Sequence, residues 1–357
     1  MYRRPARDRV LSILRRDAPG VVAYHALEHE QVEAVIAHLD LPRAWLDYFR
    51  QGEVRFVGAK ASYEPEAFTR YLPALPEDAS VSSWGVGRQA LQNAQGHHAG
   101  HRYFHPLAEV DTVAGLEAYP WPECAVESPE ELRTRVGALR EGGYAVVGNA
   151  SQTILETAYL MRGIDRLFLD FYERPEYVEA LFSVLCDRRI AEVRALARAG
   201  VDSVRLGDDI ATQEALMISL PMYREMLRPF HARVVAAALE IDPALPVGYH
   251  SDGNLTALLP ELIDIGVTWI NPVQPECMDL RKISREFGRD LALWGCTPVQ
   301  SVYAHGTADE VRAHTRFLFE EIAPAHGLIV QFMNIVITPH VLRNLAAFFE
   351  EFRALAG

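Results

Sequence analysis

From about residue 140 onward the chain alternates short apolar runs with long amphipathic stretches, and few folds can be built from that alternation. Apolar runs at 144–148, 201–206, 245–249, 268–271, 291–294 and 328–332 read as buried strands. Between and after them, residues 151–162, 175–199, 219–240, 254–265, 280–287, 308–322 and 340–356 carry helical spacing. Gly266 closes one of these helices as a left-handed cap. Strands that alternate with helices imply a parallel sheet with right-handed crossovers. Residues 21–24 and 54–57 bring the strand count to eight. Eight βα units predict an α/β protein: one (β/α)8 (TIM) barrel domain over residues 1–357, with an extra N-terminal helix. An open dinucleotide-binding sheet would want GxGxxG after its first strand, and the sequence has none there. Residues 60–140, rich in Pro, Gly and aromatics, read as an irregular cover segment with a hairpin.

Composition narrows the partners. The net charge is −13, from 35 Lys plus Arg against 48 Asp plus Glu, and no basic block interrupts it. Nucleic acid and anionic membrane surfaces are therefore excluded as partners, since the phosphate term would be repulsive. No window approaches the roughly 18 unbroken apolar residues of a membrane span, and the N-terminus carries no signal-peptide core. Cys124, Cys186, Cys277 and Cys296 are too widely spaced for a CxxC site or a disulfide framework. A cytoplasmic protein is expected, with a homodimer left open.

In such barrels the chemistry gathers at the C-terminal ends of the strands. The residues just past each apolar run are His25, Glu28 and His29, then Asp208 and Asp209, then His250, Asp252 and Asn254. Asn271 and Gln274, Cys296, and finally Asn334 follow the last three runs. Carboxylates, imidazoles and amides thus converge on one mouth, as a small-molecule acid–base site requires. Helix capping is the competing role for Asp252, Asn254 and Ser151. His25-Ala-Leu-Glu28-His29 matches the HxxEH zinc-protease string, but that string belongs on a helix and this one follows a strand. His97, His98, His101 and His105 form a second concentration, read as solvated hairpin residues.

The C-terminal two thirds resembles the uroporphyrinogen decarboxylase superfamily, which also includes zinc-dependent methyltransferases that work with a corrinoid protein. The resemblance rests on Thr157-Ala-Tyr-Leu-Met-Arg-Gly163, Asp170, Arg174-Pro-Glu176, Gly207-Asp-Asp209 and His250-Ser-Asp-Gly253. Residues 265–271, Leu293-Trp-Gly295, residues 306–311 and Ile337-Thr-Pro-His-Val-Leu-Arg-Asn344 continue it, with looser fits at residues 8–10 and 119–122. It implies the same single barrel. The decarboxylases hold substrate carboxylates with an arginine-containing segment after the first strand, and residues 24–29 here contain no arginine. Their late histidine corresponds to Asn334, while Tyr159 falls on a family functional position. The methyltransferases build zinc from His-x-Cys and a later Cys; here Asp252 replaces the first Cys and Asn334 stands near the second.

The resemblance and the strand ends together point to a lyase. It would decarboxylate a small carboxylated, ring-containing substrate other than uroporphyrinogen. His250, Asp252, Tyr159 and Asp209 are the catalytic candidates. A carboxylate beside His250 would keep it partly protonated near neutrality. His25, Glu28, His29, Arg88, Arg102, Asn334 and Gln274 are the substrate-binding candidates, with Arg88 and Arg102 replacing the missing arginines from the cover segment. Arg205 is the third available cation, with an outward orientation on its strand as the competing expectation. The reaction would need no cofactor, or a divalent metal such as zinc held by His250, Asp252 and Cys296. The alternative is a metal-dependent methyl or alkyl transferase working with a corrinoid protein, and the third reading is a non-catalytic ligand-binding barrel.

Overall fold

The computed structural model describes residues 6–17, 20, 22–24, 33, 36–38, 40, 54–92, 98–124 and 127–356. Eight strands form one parallel sheet: β1 (Val22–Tyr24), β2 (Val54–Val57), β3 (Ala145–Asn149), β4 (Ser203–Gly207), β5 (Val247–His250), β6 (Trp269–Val273), β7 (Ala292–Gly295) and β8 (Leu328–Val330). Their order is β1-β8-β7-β6-β5-β4-β3-β2, the sequential neighbour order of a (β/α)8 barrel opened between β1 and β2. The expected α/β barrel is thus the observed fold. Most strand residues are buried on both faces, which is why these strands read as unbroken apolar runs.

The interior is filled from the bottom up. Ala23, Val54, Ala145, Val147, Trp269, Ala292, Trp294 and Ile329 form one apolar cluster inside the strands. The Trp269 and Trp294 rings lie 4.8 Å apart, and Trp294 stacks on Phe56 at 6.2 Å. Two indoles fit because alanines stand opposite them and because Gly248 has no side chain. A Cβ on Gly248 would come within 1.9 Å of the Trp269 ring. The Trp269 Nε1–H donates to Ser203 Oγ at 2.8 Å, so the buried indole keeps its hydrogen bond. Helix α1 (Ala6–Leu14) closes this end with Val10, Ile13 and Leu14. It is tied down where Arg7 donates to both carboxylate oxygens of Asp202, just before β4.

Several element boundaries differ from the sequence expectation, each for a local reason. The stretch 219–240 is not one α-helix: Tyr223–Leu227 widens into a π turn before the helix Arg228–Leu239. Leu318–Ile322 does the same after Ala308–Phe317. A proline follows each π turn, Pro229 and Pro324, and its missing N–H breaks the regular ladder. Residues 60–140 are less irregular than expected. They hold an antiparallel sheet of Ser80–Val81, Gly87–Gln92 and His98–Phe104. They also hold the helix Pro129–Glu141. Ser128 and Glu131 cap that helix reciprocally, a Ser-x-x-Glu signal present in the sequence.

The cover segment is locked to the barrel by one enclosed arginine. Arg162 ends helix α2 (Leu155–Arg162) with its side chain fully buried. It donates to Asp170 at 2.8 Å, to Asp111 at 2.8 Å, and to the carbonyls of Leu107, Ala108 and Val110. Its guanidinium lies 4.7 Å from the Tyr177 ring centre. Removing Asp170 leaves the buried guanidinium only the half-exposed Asp111 and three carbonyls, a cost at the lower end of the range of about 3–5 kcal/mol for a broken buried pair. Asp170→Asn should therefore lower the unfolding free energy by about 3 kcal/mol in denaturant titrations. A loss below about 1 kcal/mol, the worth of an exposed pair, would show that the lock is dispensable.

Candidate active site at the barrel mouth

The mouth is assembled from strand ends whose backbones approach closely. Gly207 ends β4 at φ +151, and a Cβ there would lie 2.2 Å from the His250 carbonyl oxygen, so only glycine allows β4 and β5 to meet. The next residue, Asp208, is completely buried and organises the helix that follows β3. Its Oδ1 accepts the backbone N–H groups of Ile154 and Glu156 at 2.9 and 3.0 Å, and its Oδ2 pairs with His231 Nε2 at 2.8 Å. This is a helix N-terminus capped from 54 residues away. The helix accordingly starts at Leu155, four residues later than expected, and Ser151 does not cap it.

That cap delivers Glu156 into the mouth. Glu156 Oε2 accepts the backbone N–H of Asp209 at 3.2 Å, and its Oε1 accepts Gln152 Nε2 at 2.8 Å. Gln152 adopts a left-handed backbone, φ +57, to face it. Burial, followed by the charges of Asp209 and Asp208, pushes the Glu156 carboxyl up to about 7. Tyr159 lies one helical turn further on, where burial and then Glu156 and Asp209 push its hydroxyl well above the usual tyrosine range. It stays a hydrogen-bond donor at any working pH.

A second group surrounds Asp252. Its backbone N–H donates to Asp209 Oδ1 at 2.9 Å. Its carboxylate takes Gln274 Nε2 at 3.2 Å and Asn334 Nδ2 at 2.8 Å. The Gln274 orientation follows from its Oε1, which accepts the Gly253 N–H at 2.7 Å. Asp252 therefore does not cap the next helix, which begins only at Leu259. Burial and then Asp209 raise its pKa, outweighing His250 and the amide from Asn334. Asp209, Asp252, Gln274 and Asn334, read separately from four strand ends, are thus one hydrogen-bonded set.

His250 is the last residue of β5, and its Nδ1 lies 2.8 Å from Asn271 Oδ1. Asn271 donates its Nδ2 to Gln331 Oε1 at 2.9 Å, so it presents its oxygen to His250 and Nδ1 carries the proton. Nε2 is left with its lone pair. Burial and then the Arg205 charge lower the His250 pKa, against the opposing pull of Asn271, Asp209 and Asp252. The direction runs against the expectation of a partly protonated His250: desolvation and a cation outweigh the carboxylates and favour the neutral ring.

That cation is the second correction. Arg205 does not point outward. Its guanidinium lies 4.2 Å from the centre of the Phe56 ring, inside the barrel, and its Nε donates to Asn149 Oδ1 at 3.1 Å. Burial lowers it to about 10. The clue in the sequence was a charged residue in the middle of an apolar run. Glu156 gave a weaker one, an acid in the first turn of a helix after a strand.

Other expected site residues stand elsewhere. Arg88 and Arg102 are exposed on the antiparallel hairpin, where Arg88 meets His101 and Arg102 covers the Phe104 ring. His25, Glu28 and His29 lie outside the described residues. Cys296 is completely buried in the apolar core, and burial pushes its thiol far up, so it does not join His250 and Asp252 as a ligand. Among the described residues no three His, Cys, Asp or Glu side chains form a set that could hold a metal ion. With both Asp252 oxygens engaged by amide N–H groups, the described donors do not fit a zinc centre.

Fold and mouth together define a (β/α)8 barrel with a hydrogen-bonded cluster of polar side chains at the C-terminal ends of its strands. The chain belongs to the uroporphyrinogen decarboxylase (URO-D) family, whose model matches residues 114–355. It is 30% identical over 230 residues to a uroporphyrinogen decarboxylase of Nocardia farcinica, an alignment that spans 62% of this chain and 61% of that relative. It is also similar in structure to a methyltransferase from Methanosarcina mazei, with a TM-score of 0.59 and 14% identity over 97% of this chain and 98% of that one. No helix among the described residues is long and apolar enough to cross a membrane.

The raised Glu156 pKa has a consequence for stability. A carboxyl that holds its proton more tightly when folded stabilises the protein at low pH. That contribution is lost as pH rises from its ordinary value of 4.5 to about 7. Glu156→Gln should flatten the decline in unfolding free energy across this window, measured by urea titration at intervals from about pH 4 to 8. Identical slopes in the two proteins would place Glu156 near an ordinary carboxyl.

Proposed function

We propose that the protein is a decarboxylating lyase of this family, acting on a small carboxylated ring compound other than uroporphyrinogen. The observation that carries this reading is Glu156. It is a carboxyl that burial and the charges of Asp209 and Asp208 push up to about 7, held at the mouth by the Asp209 backbone N–H. A general acid works best with its pKa near the operating pH. An octacarboxylate would need many cations, and among the described residues of the eight barrel strands only Arg55 and Arg205 are arginines. Arg55 faces away from the interior, over the Tyr144 ring.

In the proposed reaction the bond between a ring carbon and its carboxylate breaks and CO2 leaves. The electron pair stays on the ring carbon, delocalised into the ring. Glu156 then protonates that carbon and is reprotonated from solvent. Asp209 and Asp252 accept hydrogen bonds from a ring N–H or iminium and so favour the electron-poor form of the ring. Their negative charge also disfavours a carboxylate nearby and favours neutral CO2. His250, neutral and oriented by Asn271, offers Nε2 as an acceptor to the substrate. The Tyr159 hydroxyl donates.

The test is CO2 release from a panel of carboxyl-13C pyrrole and arene carboxylic acids. Glu156→Gln should lower kcat by about 10²-fold or more, and His250→Ala by at least about 10²-fold, with thermal unfolding close to wild type. Activity should survive exhaustive chelation. Methyl transfer to or from a corrinoid protein without CO2 release, abolished by chelation and restored by a divalent ion, would replace this reading with the metal-dependent one.

A further inference from the structure

We infer that Arg205 is the anchor for a carboxylate that the substrate keeps, which makes the substrate class a ring bearing at least two carboxylates. This rests on the lyase reading above. Arg205 stands on β4 with Asn149 and Gly248 as its register partners, one rung below the closing pair His250 and Gly207. Two contacts fix the guanidinium plane. Phe56 lies beneath it at 4.2 Å, and Asn149 Oδ1 takes Nε. The two terminal nitrogens are left as a fork of donors inside the barrel, the shape that meets a carboxylate with two parallel hydrogen bonds.

Comparison within the protein shows why the fork is unusual. Arg162 and Arg189 are also enclosed, and each meets a carboxylate, Asp170 and Glu192. Among the described residues no carboxylate forms an ion pair with Arg205, and Glu156 acts on it only through the field of its charge, which burial outweighs. Burying an unpaired charge is costly, and here the cost shows as the lowered pKa. A ligand anion relieves it. The acids lie elsewhere in the mouth, with Glu156 and Asp209 on one side and Asp252 beyond them, so an anionic ligand has one favourable orientation: charge toward Arg205, ring toward the acids.

The same argument says which carboxylate Arg205 holds. A cation gripping the departing group would stabilise the ground state more than the transition state, in which that group becomes neutral CO2, and would slow the reaction. Arg205 therefore holds the group that stays, while the group that leaves faces Glu156 and Asp209. The product retains the anchored carboxylate, so simple ring monocarboxylates should bind as product mimics.

The experiment is calorimetric titration with benzoate, and with benzamide as its uncharged counterpart. It uses wild type, Arg205→Met, Arg205→Lys and the double variant Arg88→Met/Arg102→Met. Benzoate should bind wild type and the hairpin variant alike, with benzamide much weaker. Arg205→Met should weaken benzoate about 10- to 100-fold, the worth of a charge-assisted hydrogen-bonded pair, and Arg205→Lys should recover part of it. The Arg205→Met melting temperature should equal or exceed that of wild type, because an unpaired enclosed charge has been removed. A purely structural arginine would give the opposite.

Benzoate binding that is equal in wild type and Arg205→Met overturns the anchor. So does an absence of benzoate binding to wild type, or a loss confined to the hairpin variant. These readouts need no turnover. If benzoate binds through Arg205 but no ring dicarboxylate releases CO2, the lyase reading fails and the carboxylate anchor stands.

Discussion

The buried carboxylate of Asp208 holds together the parts of the mouth that matter most. It takes two backbone N–H groups from the first turn of the helix after β3 and one imidazole nitrogen of His231, on the helix after β4. His231 in turn lies 3.3 Å from the Tyr223 hydroxyl and packs against the Tyr249 ring. Three successive βα units are therefore pinned at one completely buried side chain. Glu156 and Tyr159 ride on the helix so fixed, and Asp209 follows in the chain. The geometry of the acids is set by a group that faces no substrate.

The mouth separates its charges. Arg205 sits low on the inner wall, over Phe56, while Glu156, Asp209 and Asp252 crowd the strand ends above. Burial alone would drive all of these groups toward neutrality. Asp209 adds repulsion to Glu156 and Asp252 and raises both, and Arg205 adds repulsion to His250 and lowers it. The result is a carboxyl pushed up to about 7, an imidazole whose neutral form is favoured and a partly enclosed cation. Left-handed backbones at Gln152, Cys296 and Asn334, each just past a strand end, show the local strain on which this arrangement rests.

The residues that carry the family resemblance divide into two kinds. Arg162 and Arg174 pair with Asp111, Arg162 also pairs with Asp170, and together they bind the cover segment to the barrel. Asp208 caps a helix. These explain why the motifs are recognisable without revealing the chemistry. Tyr159, Asp209, His250 and Asp252 instead face the mouth and are joined there by hydrogen bonds and charge.

The barrel itself was legible in the sequence because parallel strands buried on both faces leave unbroken apolar runs, and the helices between them leave a period of 3.6. The convergence of Asp209, His250, Asp252, Gln274 and Asn334 was legible for the same reason, since every one follows a strand in the same sense. What the sequence could not decide was which way a side chain inside a run faces, and what it meets there. Arg205 is inward because β4 alternates Ser203, Arg205 and Gly207 toward the indoles and His250, a register set by neighbouring strands. Glu156 becomes an acid near neutrality only because Asp208 and Asp209, more than 50 residues away, bring burial and negative charge to it. Local pattern determines where strands begin and end; proton affinity and charge pairing depend on neighbours that only the closed sheet brings within a few ångströms.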